Sequence, residues 1–155
     1  MDFICNIAKG RGVEFYHRVK QSDPTGSALL VVALAATGLA GDGVLQDADT
    51  LAAILSGSSN EVTNDGYARK ALVAADLAAW APDDANDRVD LDIPDQTWNN
   101  VLAGDGWAKL MVCYRPAPAS PDSDVVPISG HDFLVTPDGT HIVAQIDAAG
   151  FLRAA

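Results

Sequence analysis

The sequence predicts a mainly β fold, an antiparallel β-sandwich with one or two short helices in the N-terminal half and an N-terminal arm. Short runs of strand-forming residues, separated by turn signals, recur from Tyr67 to the end of the chain. Nineteen of the 21 acidic residues are Asp, which favours turns and caps over helix interiors. With 155 residues, 48% of them hydrophobic, the chain can form one domain with its own core. We assign residues 1–12 to the arm and residues 13–155 to the domain.

The first half of the chain combines helical segments with one buried strand. Residues 13–20 have the spacing of a two-turn helix, and a turn signal follows it. Residues 27–35 are a continuous apolar run of strand length, which predicts a strand buried on both faces and leaves a helix as the alternative. Residues 37–43 contain three glycines and indicate a loop.

A second short helix is predicted near the middle of the first half. Its apolar face comprises Leu51, Ile54 and Leu55, and Gly57 would end it. Either Asp47 or Asp49 can cap its N-terminus, because Asp side chains accept hydrogen bonds from the first free N–H groups of a helix.

The second half is predicted to be a series of strands. Residues 67–75 could form the first, and residues 88–93 alternate apolar with polar side chains, as in a strand with one buried face. Residues 107–114 predict another. Three short strands, 125–128, 132–136 and 141–146, would follow, the last two joined in a hairpin by a Pro-Asp-Gly-Thr turn. Residues 151–152 could add a final short strand.

The charge of the chain excludes one class of partner. Twenty-one acids stand against 10 bases, a net charge of −11, whereas a broad nucleic-acid surface needs a basic stripe. An acidic surface can instead dock on a basic partner. The longest apolar run is too short to cross a bilayer, and the first residues lack the pattern of a signal peptide. We therefore expect no nucleic-acid or membrane partner, and synthesis in a cytoplasm.

The sequence contains no recognisable catalytic, metal or nucleotide motif. There is no G-x-S-x-G pentapeptide, no paired Cys or His at ligand spacing and no P-loop. His131 and Asp132 are adjacent, and neighbours on a strand point to opposite faces, so they should not serve one triad. Cys113 lies in an apolar run and should be a buried thiol; a disulfide with Cys5 is allowed but not required. We expect a protein that is not an enzyme and has no cofactor.

Residues 83–87 form an acidic turn that shares some residue types with a calcium-binding loop. An EF-hand needs oxygen ligands at alternate positions, Gly at position 6 and usually Glu at position 12, and this segment fails that pattern. A solvated acidic turn is the default interpretation, and an irregular calcium site is the alternative.

Nine residues are candidates for contact with another protein chain. Large amphipathic aromatic side chains often anchor interfaces, but they also fill cores, and the sequence does not decide between these roles. Arg69 is expected to pair with an Asp, plausibly from residues 83–95. In the arm, three residues offer apolar contact area and two offer positive charge. The candidates are Phe3, Ile4, Ile7, Lys9, Arg11, Tyr67, Arg69, Trp98 and Trp107.

Several short motifs resemble small virion proteins of tailed phages, of the type found in actinobacterial phages. These are residues 60–69 (NEVTNDGYAR), 88–93 (RVDLDI), 96–98 (QTW), 110–114 (LMVCY) and 132–139 (DFLVTPDG), with 7–11 (IAKGR) and 16–20 (YHRVK) near the start. The resemblance implies a non-enzymatic structural protein of the virion, a capsid decoration (cement) or minor capsid protein. Its partner would be the major capsid protein, bound in many copies or as a homo-oligomer. A head–tail connector, tail-tube or fibre component is the alternative.

Overall fold

The computed structural model describes residues 1–56, 59–79 and 81–154, and over these residues the protein is mainly β. The strands in chain order are β1 (Phe3–Ile4), β2 (Ala28–Ala35), β3 (Lys70–Leu72), β4 (Val89–Leu91), β5 (Gln96–Trp98), β6 (Trp107–Arg115), β7 (Val126–Val135), β8 (Ile142–Ala144) and β9 (Leu152–Ala154). The helices are α1 (Gly12–Gln21), α2 (Asp42–Asp47) and α3 (Leu51–Leu55), with 3-10 turns at Asn6–Ala8 and Asp122–Asp124. The predicted fold class, mainly β and antiparallel with short N-terminal helices, is confirmed.

A five-stranded antiparallel sheet forms the centre of the molecule. Its strand order is β1-β7-β6-β2-β3, and β2 and β6 pair along their whole length, from Ala28 opposite Arg115 to Ala35 opposite Trp107. Every residue of β2 is buried, as its continuous apolar sequence predicted. Both faces of this sheet are therefore covered by other elements.

The two faces of the sheet support two separate apolar clusters. One face, which carries Leu29 and Val31, packs against α1 and two short antiparallel ladders, β4 with β9 and β5 with β8; we call it the ladder face. The opposite face, which carries Leu30 and Val32, packs against the short helices around Leu51; we call it the helix face. The alternation follows from the period of two along a strand.

Helices α1 and α3 were predicted, but the N-terminal cap of α3 differs from the prediction and α2 is an additional helix. Helix α1 covers the predicted residues 13–20. Helix α3 is capped by Thr50, whose Oγ1 accepts a hydrogen bond of 3.1 Å from the Ala53 N–H, so neither of the two predicted Asp caps is used. Gly57, the predicted end of this helix, lies outside the described residues. Helix α2 was not predicted; its first two residues, Asp42 and Gly43, fall in the glycine-containing segment assigned to a loop.

The C-terminal strands pair differently from the prediction. The two strands predicted at 125–128 and 132–136 are one strand, Val126–Val135, and the predicted hairpin is wrong because β8 pairs with β5. The turn between β7 and β8 instead forms hydrogen bonds with the loop at Val101. The Gly139 N–H donates to the Val101 carbonyl, and the Val101 N–H donates to the Thr140 carbonyl. These contacts direct the chain away from β7 and onto β5, a strand that the sequence analysis did not predict.

The predicted N-terminal arm is part of the domain, so the boundary at residue 12 is corrected. Strand β1 pairs with β7, with Phe3 opposite Gly130, and the Phe3 ring lies so close to Gly130 that a Cβ there would come within 2.5 Å of it. Cys5 and Ala8 are also buried. Burying these side chains removes apolar area from water, which explains why the segment folds back. Within the described residues, no helix is long and apolar enough to cross a membrane.

Candidate functional site

The aromatic candidates meet in the core on the ladder face. The ring centroids of Trp98 and Trp107 are 5.1 Å apart in an edge-to-face arrangement, and those of Tyr67 and Trp107 are 5.3 Å apart in the same geometry. Both indoles are only 1% exposed, and their Nε1–H groups donate to the Ala68 carbonyl at 2.8 Å and to Asn64 Oδ1 at 3.0 Å. Edge-to-face contact and satisfied donors are what a buried aromatic cluster needs. These two residues thus stabilise the core.

Arg69 is the centre of an ion-pair network that the sequence assigned to the wrong partners. Its guanidinium contacts Glu61 through Nη2 at 2.6 Å and Asp122 through Nη1 at 2.6 Å, with second bonds to each carboxylate, and no acid of the segment 83–95 pairs with it among the described contacts. Its side chain is 30% exposed. The two carboxylates raise the pKa of Arg69, and the arginine lowers the pKa of Asp122. The planar fork of an arginine suits this double bidentate contact.

Tyr67 links this network to the central sheet. Its hydroxyl donates to Glu61 Oε1 at 2.8 Å and accepts from the Ala33 N–H at 3.1 Å. Burial raises the pKa of Tyr67 far above its ordinary value. Tyr67 thus satisfies a backbone donor of β2 and orients the carboxylate that Arg69 binds. The Tyr-Ala-Arg motif is an internal connection between a loop, a strand and the 3-10 turn at Asp122–Asp124.

The candidates in the N-terminal segment differ in exposure. Phe3 is buried, and Ile4 and Ile7 are half-buried and pack against the two apolar clusters. Lys9 and Arg11 are exposed: Lys9 Nζ donates to Asn6 Oδ1 at 2.6 Å, and the Arg11 guanidinium lies 4.7 Å from the centre of the Phe15 ring. Of these five candidates, only the two basic residues are therefore exposed.

A polar chain that the sequence did not predict lies at the β1–β7 edge of the ladder face. Ser129 Oγ and His131 Nε2 are 2.8 Å apart, and His131 Nδ1 lies 3.5 Å from an oxygen of Asp2. Asp132, adjacent to His131, points to the other face as predicted and binds Lys109 at 2.5 Å. The order Ser–His–Asp resembles a nucleophile with its base, but Ser129 is only 1% exposed and does not line the neighbouring cavity. Its hydroxyl is thus packed inside protein.

Lys109 is a buried lysine whose charge is balanced by two carboxylates. Its side chain is 2% exposed, with Nζ 2.5 Å from Asp132 and 3.1 Å from Asp42, and it lies over the Phe3 ring. Burial lowers the pKa of Lys109, but the hydrogen bonds to these carboxylates outweigh it, and the pKa is raised overall. The same contact with Lys109 lowers the pKa of Asp132 to about 2. The N-terminal ammonium of Met1 also binds Asp132 and Asp42.

Neither cysteine is placed for chemistry. Cys5 and Cys113 are buried free thiols, so the optional disulfide of the sequence prediction is absent. Burial raises the pKa of Cys5 to about 12 and raises that of Cys113 further, which keeps both as thiols rather than reactive thiolates. Among the described side chains, no group of three or more His, Cys, Asp and Glu is arranged to hold a metal ion.

A cavity of about 560 Å³ lies between the central sheet and the two ladders. Its inner wall is apolar and includes Val31, Ile93, Leu110, Val112 and Ala144, all at least nine-tenths buried. Its outer wall carries the exposed side chains Asp2, Asp147 and Arg153 and the half-buried His131. Cavities of this size, apolar with a few polar groups, are the usual form of binding sites for small molecules.

Comparison of the chain with protein-family models, with curated proteins and with solved structures finds no match. Functional inference therefore depends on the residues and their geometry.

Proposed function

We propose that the protein is a non-enzymatic structural component of a tailed-phage virion, a capsid decoration or minor capsid protein that binds the major capsid shell in many copies. The observation that carries this proposal is the set of motifs between residues 60 and 139 that resembles small virion proteins. The acidic surface, with a net charge of −11, suits a partner with basic surface patches.

The placement of the motif residues supports a scaffold role for them. Tyr67 and Arg69 join Glu61 and Asp122 inside the domain, and both tryptophans lie in the core. A protein with a rigid core and polar exterior can bind a lattice through several weak surface contacts, which act together when neighbouring sites are occupied. Shell contacts are then to be sought among exposed residues rather than in the motif.

Lys9 and Arg11 are the candidate contacts that remain available in the N-terminal segment. Both are exposed beside Gly10, whose φ of +78° makes the turn, and they can pair with acidic residues of the shell. Deleting residues 1–12 would not test this, because it removes β1 and three buried side chains, Phe3, Cys5 and Ala8. The double substitution Lys9→Glu and Arg11→Glu reverses the charge of two exposed side chains and removes no buried one. Arg11 then loses its contact with the Phe15 ring and its ion pair with Glu14 at 3.6 Å.

The proposal is tested by locating and counting the protein in virions of the phage that encodes it. Immunogold labelling over the head, with hundreds of copies per particle by quantitative mass spectrometry, is the expected result. Absence of the protein from purified particles would contradict the proposal. About six or twelve copies at the vertex would instead identify the alternative, a head–tail connector, and label on the tail would identify a tail or fibre component.

The charge-reversed double variant then tests the docking contact. Its occupancy on particles should fall at moderate ionic strength, while its thermal unfolding stays close to that of the wild type because both side chains are exposed. A matched control is Arg153→Glu, which reverses an exposed basic residue at the other end of the chain. Equal occupancy of the double variant and the wild type would refute the contact.

A further inference from the structure

The cavity between the sheet layers has the properties of a ligand site that the proposed structural role does not use. Its lining spans β1, β7, β6 and β2, which are consecutive in the sheet. Three strand spacings of about 4.8 Å make this wall about 14 Å wide. The volume of about 560 Å³ corresponds to roughly 19 water volumes, enough for an elongated small molecule.

The wall that is furthest from solvent selects an apolar body. Val31, Leu110 and Val112 come from the central strands of the sheet, and Ile93 and Ala144 face them from the ladder layer. Among these five side chains there is no polar atom to match a polar ligand group. A hydrocarbon chain or ring would bury its surface against them with the usual gain from removing apolar area from water.

The polar groups of the cavity select a hydrogen-bond donor. Gln96 is 4% exposed and lines the cavity; its Nε2 donates to the Pro94 carbonyl, and its Oε1 accepts from none of the described donors. An amide oxygen has two lone pairs, so a ligand in the cavity can donate a hydrogen bond to it. Gln96 therefore offers an acceptor to a ligand that carries N–H groups.

The charges at the mouth select a cation. Asp2 and Asp147 are exposed carboxylates on the lining, and the one guanidinium there, Arg153, is held by Asp90 at 2.6 Å. His131 also lines the cavity, with Nδ1 3.5 Å from an oxygen of Asp2. The carboxylate of Asp132 is directed to Lys109 on the opposite face of the sheet and is not part of this mouth, whereas Asp2 keeps 65% of its side chain exposed. Carboxylates around an opening with low-dielectric walls concentrate cations there.

We propose that this cavity binds an amphiphilic amine, a small molecule with an apolar body against the sheet and a protonated amino group directed to the acidic mouth. This site is independent of the proposed virion role, since it uses neither the Tyr-Ala-Arg network nor the basic N-terminal turn.

The test compares three probes that share an eight-carbon chain: octylamine, 1-octanol and octanoate. At pH 7 octylamine is protonated, since alkyl amines titrate near the lysine value of about 10.4. The full-length protein is titrated with each probe and followed by methyl NMR. Octylamine should bind with a dissociation constant about tenfold lower than octanoate, and the shifted methyl groups should be those of Val31, Leu110 and Val112. Leu45 and Leu51 on the helix face are internal controls and should not shift.

Two pairs of variants separate the cavity from the rest of the surface. Ala144→Leu fills the cavity and should weaken octylamine binding by about tenfold, while Val143→Leu enlarges the adjacent, outward-facing residue of β8 and should not. Asp2→Asn keeps the oxygen that accepts a hydrogen bond from the Asp132 N–H. It should weaken the binding of octylamine by up to about fivefold and leave the binding of 1-octanol unchanged. Asp84→Asn makes the same charge change at an exposed turn outside the cavity lining and should change neither affinity.

Three results would overturn the proposal. Equal affinity for octylamine and octanoate would remove the selection for a cation. Equal shifts of methyl groups on both faces would mean that the probes act on the whole fold rather than in the cavity. If Ala144→Leu is folded and binds octylamine as tightly as the wild type, the probe binds outside the cavity. If Ala144→Leu does not fold, the comparison of Asp2→Asn with Asp84→Asn, each made singly in the wild-type protein, decides whether the amine binds at the mouth.

Discussion

Replacing Arg69 with alanine should destabilise the protein by about 2–3 kcal/mol, well above the value for a surface arginine. Exposed ion pairs contribute roughly 0.2–1 kcal/mol, and removing one partner of a fully buried pair costs about 3–5 kcal/mol. Arg69, Glu61 and Asp122 lie between these limits, with side-chain exposures of 30%, 22% and 34%. The substitution also leaves two carboxylates facing each other without the cation that binds both.

The assay for this prediction is urea unfolding at pH 7, with Arg69→Lys as the matched variant. Lysine keeps the charge but lacks the planar fork, so it should recover less than half of the lost stability. Folding holds the pKa of Asp122 below its unfolded value, so the stabilisation is present above about pH 4 and is lost as pH falls through the folded value. The difference in unfolding free energy between the wild type and Arg69→Ala should therefore become smaller at acidic pH. An Arg69→Ala variant within about 0.5 kcal/mol of the wild type would refute the network.

Three further predictions address the core, the turn before the motif and the buried lysine. Trp107→Ala should cost about 3–5 kcal/mol in urea unfolding, because it removes a ring that is 1% exposed and leaves a cavity; a smaller loss than that of Arg69→Ala would contradict this order. Gly66→Ala should lower the unfolding free energy by about 1–3 kcal/mol, since Gly66 has φ +90° and a Cβ would lie 2.6 Å from the Asn100 carbonyl oxygen. An unchanged thermal unfolding temperature would contradict this, because it would show that the turn relaxes around the new methyl group. The unfolding free energy should fall as pH drops from about 4 towards 2, because hydrogen bonds to Lys109 and to the Met1 ammonium lower the pKa of Asp132 in the fold to about 2. Lys109→Met should make this acid dependence of the unfolding free energy shallower, and an unchanged dependence would contradict the assignment.

Elements with a local signal were predicted well from the sequence. The two long central strands follow from continuous apolar runs, and the strand at β4 follows from strict alternation, with Leu91 and Ile93 buried as expected. Helix α1 follows from its apolar spacing. In these segments the burial of each residue depends mainly on its own neighbours in the sequence.

Features that depend on distant residues were not predictable in the same way. Arg69 binds Asp122, 53 positions away, and His131 faces Asp2, which no spacing rule connects. The hairpin prediction failed because a Pro-Asp-Gly turn specifies a change of direction, whereas the partner of the next strand is set by tertiary packing. The cavity likewise arises where two layers meet, and a single residue such as Ala144 gives no sign of it.

The internal position of the Tyr-Ala-Arg motif changes how the proposed virion role should be tested. Arg69 and Tyr67 hold the fold together, so substitutions there would lower occupancy on a shell through loss of folded protein, whether or not the protein binds capsids. Occupancy of such variants measured at temperatures well below their unfolding midpoints should equal that of the wild type. A resemblance based on scaffold residues supports a common fold more directly than a common contact. The decisive measurements are therefore copy number and location in the particle, together with charge reversal at exposed residues such as Lys9.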